Sequence, residues 1–365
     1  MSLLPTSVDV LDQSGRNEMD RLLTSPQLLR LDAAELADMM RAGSLTSTVL
    51  VESVLAQMDR FENGDTNLNA MLDVAPLEVV MKRAVELDSE RRRGYIRGPL
   101  HGIPIIIKDC ISTHPDLGMK TSIGSYALIN SRPARSSTVV DRVPGGSSTG
   151  SAVGVSAGYS PITVAQETEG SIIQPAARAG LYAIKPTPGT IPSDGVWTIS
   201  SKFDSLGPMA KSAHDLYDLY RALVEDESGQ EIVPPLTSSG FQSLTVGFLD
   251  PEVWIFGDEY LHPLPGLKEQ LKKTFRDTAA ALAEKTAKAV FDVAIPLTGD
   301  LKIGELDAIQ VVACTLDYNG RPFGLSVMAR EGREDLLFAF MKAWEASFPW
   351  RPIPKMLDKE KLGSL

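Results

Sequence analysis

Gly98-Pro99-Leu100-His101-Gly102-Ile103-Pro104-Ile105-Ile106-Ile107-Lys108-Asp109 is the stretch on which the fold turns. Residues 98–102 have loop chemistry, and 103–107 form an almost wholly apolar run that ends at a lysine. A strand with one wet face alternates polar and apolar residues; a continuous apolar run suits a strand buried on both faces, inside a sheet covered by helices. Residues 103–107 are predicted to be such a strand.

Upstream, the periodicity is helical. Asp32 followed by Glu35 makes a capping-box start, Leu36, Met39 and Met40 supply an apolar face, and Gly43 ends the helix. A second helix is predicted over 47–61, where Leu50, Val51, Val54, Leu55, Met58 and Phe61 recur at helical spacing. A third starts at Pro76 and runs into the charged Glu90-Arg91-Arg92-Arg93, read as a solvated helix end.

Downstream, residues 144–189 are rich in Gly, Ser, Ala and Pro, a composition that by itself suggests a flexible linker. Ala152, Val153, Val155, Val164, Ile172 and Ile173 give it too much apolar content for a solvated tether, and a strand is expected at 162–165. Ser212 is placed to cap a helix through Leu216, Leu219 and Leu223, and a strand follows at 244–248. A long helix is predicted over 267–290, then a hairpin turning at Asn319-Gly320 between 311–316 and 323–327, then a helix over 334–348. This alternation predicts an α/β fold, a mixed sheet covered by helices. Residues 1–28 are expected to be a weakly structured extension, and 29–365 a single domain.

The chain has 365 residues, a formal net charge of −11 and no basic run beyond the arginines at 91–93, which disfavours a nucleic-acid partner. Cys110 and Cys314 are its only cysteines and follow no metal-ligand spacing, so a reducing compartment and no bound metal are expected. Asp9, Asp12, Arg16, Glu18 and Asp20 interrupt the N-terminal residues, and no apolar run is long enough to span a bilayer. The expectation is a soluble cytoplasmic protein without a membrane partner.

Amide hydrolysis needs a nucleophile, a base, donors for the oxyanion and an acid for the departing amine. The chain has four histidines, His101, His114, His214 and His262, none beside an obvious nucleophile. A lysine can serve as base when desolvation disfavours its ammonium form. Lys108, closing an apolar run, fits that description, although the same position also reads as the solvated end of a strand. Gly146-Ser147-Ser148-Thr149-Gly150 matches the Gly-x-Ser-x-Gly elbow of α/β-hydrolases, with Ser148 central and His214 or His262 as base. That elbow needs a strong strand before it, whereas 133–144 carries Arg135, Asp141 and Arg142 around the short Val139-Val140 pair. A phosphate loop is disfavoured because no Gly-Lys-Ser/Thr follows.

Three blocks, in order, resemble the amidase-signature family: GPLHGIPIIIKD at 98–109, PGGSSTGSA at 144–152 and ETEGSIIQPAARAGLYAIKPTPG at 167–189. Ser147 and Ser171 stand 24 positions apart, the separation that family uses. Similarity runs from about 31 to 222 and returns over 319–348. The resemblance implies the amidase-signature fold, with helices on both faces of its mixed sheet. It further implies that Lys108 is the base, Ser147 the proton relay in a cis Gly146-Ser147 peptide, and Ser171 the acylated nucleophile. Ser147 and the backbone amides of Thr168, Glu169, Gly170 and Ser171 would line the oxyanion site, in a turn entering a helix near Ser171. No cofactor is implied, and the substrate is a small-molecule carboxamide. Gly145, Gly146 and Gly150 would let the serine loop approach that substrate closely.

The chain departs from the family pattern in places. Glu169-Gly170 replaces the frequent Gly-Gly before the nucleophile, and Glu167 stands where Asp is common, a style resembling a branch that includes peptide amidases. Glu169 would either repel anionic acyl groups or point to solvent. Several dozen family positions are absent between Val140 and Val143, near 141, and more near 304, so the fold is shortened. Losing a sheet strand strands backbone groups and exposes apolar surface, each buried unsatisfied group costing about 1–3 kcal/mol against a total stability of about 5–15 kcal/mol. An impaired, pseudoenzyme-like or incomplete product is therefore one alternative reading. Another is the amidase component of a tRNA amidotransferase, which would need partner subunits.

Overall fold

A computed structural model of the chain describes residues 21–64, 66–138, 140, 148–224, 240–254, 265–293, 308–312, 315–316, 322–349, 351 and 353. They fall into two units, one drawn from Met1–Pro175, Leu181–Gln230 and Ile353–Leu365, the other from Ala176–Gly180 and Glu231–Pro352.

The first unit begins with helices α1 (Ser25–Arg30), α2 (Ala33–Arg41), α3 (Ser47–Glu62) and α4 (Leu77–Arg92). The capping box forms as predicted: Asp32 accepts from the Glu35 amide at 2.9 Å, and Glu35 accepts from the Asp32 amide at 3.0 Å. Free amides at the N-terminus of α3 are taken up by a carboxylate from a distant part of the chain, Asp88, which accepts from Ser47 and Thr48 at 2.7 and 3.0 Å. Leu36, Met40, Leu50, Val54, Met58 and Phe61 pack with Val155 and Tyr159 into the core of this region. The Tyr159 hydroxyl donates to buried Glu62 at 2.9 Å, and Glu62 also accepts from the Ala70 amide, so these two buried side chains are satisfied.

The sheet of this unit has the order β1-β2-β4-β3, from β1 (Ile106–Ile107), β2 (Ile162–Glu167), β3 (Tyr182–Ala183) and β4 (Ser205–Ala210). β1 runs parallel to β2, while β4 is antiparallel to both β2 and β3. The strand predicted over 103–107 contracts to Ile106–Ile107: Pro104 has no amide to give a ladder, and its carbonyl accepts the Ser160 hydroxyl at 2.7 Å. Every residue of β2 and β4 is buried, the two-face burial expected of a covered sheet. Helix α5 (Ser148–Ser156) packs on β1 and β2, and α7 (Ala213–Val224) on β4; between them in sequence lies the short α6 (Ile173–Ala179).

Helix α5 corrects the sequence reading at 148–152, which was expected to be a loop shaped for substrate. A Cβ on Gly150 would stand 2.0 Å from the Ala70 carbonyl oxygen, so this glycine serves close packing of a helix on its neighbour. Residues 144–147 lie outside the described set.

In the second unit, β5 (Thr245–Leu249) lies between β6 (Lys288–Val293) and β7 (Ala308–Val312), parallel to both, and β10 (Ser326–Met328) pairs antiparallel with β7. A separate antiparallel ladder joins β8 (Thr315–Leu316) and β9 (Pro322–Phe323). Both antiparallel pairings meet the hairpin expectation, with Asn319-Gly320 itself outside the described residues. The predicted long helix is shorter: α8 (Leu267–Ala283) stops where the Leu282 carbonyl accepts the amides of Lys285 and Thr286. Val290, Phe291 and Val293 then favour the pleated strand β6, which the apolar spacing alone had merged with the helix. Phe241, Phe248, Phe275 and Leu282 pack with Phe340 of α9 (Glu334–Ser347), the Phe241 and Phe340 rings meeting edge to face at 5.2 Å.

No helix among the described residues is long and apolar enough to cross a membrane. Single exposed apolar side chains are ordinary, but Trp197, Ile199 and Phe203 crowd one loop at 52, 87 and 63% exposure. We expect purified protein to bind a hydrophobic dye before heating and to melt broadly; a sharp melt without an initial dye signal would contradict that.

Candidate active site

Lys108 follows β1 directly. Its amide continues the β1–β2 ladder by donating to the Val164 carbonyl at 3.1 Å, and its Nζ donates to the Gln166 carbonyl at 2.8 Å. The side chain is therefore half-buried against the end of β2 rather than free in solvent. Burial pushes the ammonium below its ordinary range, opposed by the nearby Cys110, Glu167 and Asp204. Beyond Lys108 the chain is held in place as Ile111 bridges to Val196 and Trp197 donates its amide to the Cys110 carbonyl.

Ser148 opens α5 and is buried; its hydroxyl donates to the same Gln166 carbonyl at 3.5 Å. The N-terminus of α5 and Lys108 thus converge on one backbone oxygen. Ser147, and with it the expected cis Gly146-Ser147 peptide, lies outside the described residues.

From this same end of β2 the chain turns through Thr168, Glu169, Gly170 and Ser171 into α6. Gly170 takes φ +83°, a left-handed conformation that glycine adopts freely, and a Cβ there would stand 2.5 Å from Gln174 Nε2. Ser171 is exposed, as is Glu169, in keeping with the solvent-facing alternative for that carboxylate. The helix starts at Ile173, near Ser171 as expected, and Glu167 caps it: its buried carboxylate accepts from the amides of Ile172 and Ile173 at 2.6 and 2.9 Å. The residue noted in the sequence only as a departure from Asp is a cap that shapes the turn carrying Ser171.

Sequence reasoning missed Asp204. Its buried carboxylate accepts from the Thr168 hydroxyl at 2.6 Å, from Gln166 Nε2 at 3.0 Å and from the Ile199 amide at 2.6 Å. No spacing rule flags one aspartate in Lys202-Phe203-Asp204-Ser205; its partners become visible only once β4 pairs antiparallel with β2.

The rival elbow finds no support in this geometry. His214 is exposed and pairs with Asp218 at 3.6 Å, whereas Ser148 is buried at a helix start. His101 is also committed: Nδ1 accepts from the Arg97 amide at 3.2 Å, which leaves Nε2 to donate to the Leu87 carbonyl at 3.0 Å. His262 lies outside the described residues.

The sequence profile of the Amidase family matches residues 52–143 and 141–296. The chain belongs to the amidase family. This family match breaks in two at 141–143, as the internal gap read there from the motif order requires. Among amidase-family relatives, the chain is 30% identical over 315 residues to a glutamyl-tRNA(Gln) amidotransferase subunit from Chloroflexus aggregans, covering 76% of this chain and 62% of that one. It is 31% identical over 264 residues to the corresponding protein of Chloroflexus aurantiacus, covering 62% of this chain and 52% of that one. The chain therefore spans under two thirds of these relatives' length. In fold it is similar to an amidase family protein from Bacillus anthracis, at TM-score 0.73 and 19% identity, covering 94% of this chain and 96% of that one. The native peptide amidase of Stenotrophomonas maltophilia aligns at TM-score 0.69 and 22% identity, covering 89% and 98%. The mixed α/β architecture is that of the amidase-signature fold.

Proposed function

We propose that this amidase-family chain hydrolyses a carboxamide to a carboxylic acid and an amine or ammonia through an acyl-enzyme on Ser171. The observation that carries the reading is Lys108: it is held half-buried by a backbone carbonyl, with its charged form destabilised, at the same end of the parallel β1–β2 pair from which the Ser171 turn leaves. A neutral amine has one lone pair and two N–H bonds. With one N–H on Gln166, the lone pair is left to accept a proton.

In this mechanism Lys108 draws a proton through Ser147 as Ser171 Oγ attacks the amide carbon. The backbone amides at 168–171 face the developing oxyanion, Ser147 returns the proton to the leaving nitrogen, and water cleaves the ester. Ser171 must meet substrate, which agrees with its exposure.

The relatives named as glutamyl-tRNA(Gln) amidotransferase components favour a second reading, in which the amide is glutamine's and partner subunits take up the product. A panel of primary amides, peptide amides and glutamine separates the two. The proposal expects the unaccompanied chain to release ammonia and the matching acid in equal amounts from a primary amide. Release of ammonia only from glutamine, and only with partner subunits added, would favour the second reading, and cleavage of esters alone would contradict both.

A further inference from the structure

Asp204 touches both halves of the candidate machinery without belonging to either. Through Gln166 Nε2 it grips the residue whose carbonyl holds Lys108 Nζ, and through the Thr168 hydroxyl it grips the first residue of the turn that leads to Ser171. Gln166 is buried, and its remaining side-chain N–H goes to the Trp197 carbonyl at 3.0 Å, so its amide has no freedom to swing. The Ile199 amide completes the set and ties the 197–203 loop to the same carboxylate. Burial by itself would push the Asp204 carboxyl up, but the hydrogen bonds from Thr168 and from the Ile199 and Ser200 backbone, with Lys185 nearby, outweigh it and hold the pKa below the ordinary range. The group is therefore a carboxylate across neutral pH.

We propose that Asp204 is a positioning residue of the reaction, clamping the Lys108 seat on β2 and the Thr168 turn before Ser171 into one geometry. The inference rests on the amide-hydrolase reading above for its kinetic consequence, while the clamp itself stands on the hydrogen bonds. Misplacing reacting groups by about 1 Å costs on the order of 10²-fold in rate, so a clamp at this point bears on acylation. Its negative charge has a separate effect. Together with Cys110 and Glu167, the other titratable groups facing Lys108, it favours the ammonium form and works against neutralisation of the base.

Three substitutions separate clamp from charge. In Asp204→Asn the side-chain oxygen keeps the Gln166 and Ile199 donors and the new amide donates to the Thr168 hydroxyl, so position survives and charge is lost. Acylation by a fluorophosphonate, followed against pH, should keep its plateau while its rising limb moves to lower pH. Asp204→Ala should lower the plateau by about 10–100-fold. Thr168→Val cuts the clamp at the turn but leaves the charge, so its plateau should fall while the limb stays. Hydrogen exchange at the 168–170 amides should quicken in Asp204→Ala and Thr168→Val, and stay slow in Asp204→Asn, a readout that does not depend on activity. An unchanged plateau and unchanged exchange in Asp204→Ala would overturn the proposal, as would Asp204→Asn falling as far as Asp204→Ala with its limb unmoved. Failure of the unsubstituted protein to label would count against the hydrolase reading alone, with the clamp still judged by exchange.

Discussion

Replacing Ser171 by alanine is expected to abolish both covalent labelling by a fluorophosphonate and amide turnover. Ser171 is the hydroxyl that the family resemblance assigns as nucleophile, and it sits exposed in the turn between β2 and α6. Alanine removes only the oxygen. The turn itself is held by Glu167 on the amides of Ile172 and Ile173 and by Gly170 in its left-handed conformation, none of which involves the Ser171 side chain. The substitution should therefore leave the melting temperature unchanged, so lost labelling can be read as lost chemistry. Labelling of Ser171→Ala at the rate of the unsubstituted protein would remove Ser171 from the mechanism and return attention to Ser148.

Lys108→Met is expected to slow acylation by about 10²–10⁴-fold, the usual contribution of general base catalysis. Methionine nearly matches lysine in length and is apolar, so it fits a half-buried position whose desolvation penalises charge. The variant should fold at least as stably, less the bond to Gln166. Its pH profile carries the sharper information. Lysine accepts a proton only when neutral, so the rate in the unsubstituted protein should climb with pH as the ammonium titrates. Burial lowers that titration, placing the limb below the range of an exposed lysine. Lys108→Met should lack the limb, and persistence of the same limb would identify a different base.

The sequence carried the fold wherever a local rule had a physical owner. Asp32 with Glu35, and Ser212 before α7, were legible because capping depends on residues three apart. The apolar run into Lys108 was legible as buried strand, though Pro104 shortened it. Two readings failed for a shared reason: the helix merged across 283–290 and the loop drawn over 148–152 were each decided by a partner far away in sequence. Pairing with β5 turns residues 288–293 into strand, and the Ala70 carbonyl explains a glycine that looked made for substrate. The candidate site divides the same way. Lys108 and Ser171 announced themselves through motif spacing, whereas the Gln166 carbonyl meets Lys108 only because β1 lies along β2, and Asp204 reaches Gln166 and Thr168 only because β4 lies antiparallel to β2.

The most direct test of the account is to locate the probe. The unsubstituted protein is incubated with a fluorophosphonate, and the adduct is mapped by peptide mass spectrometry. Lys108 as base and Ser171 as nucleophile predict a single adduct on the peptide carrying Ser171, formed faster as pH rises. An adduct on Ser148, or none on Ser171 at any pH, would contradict it.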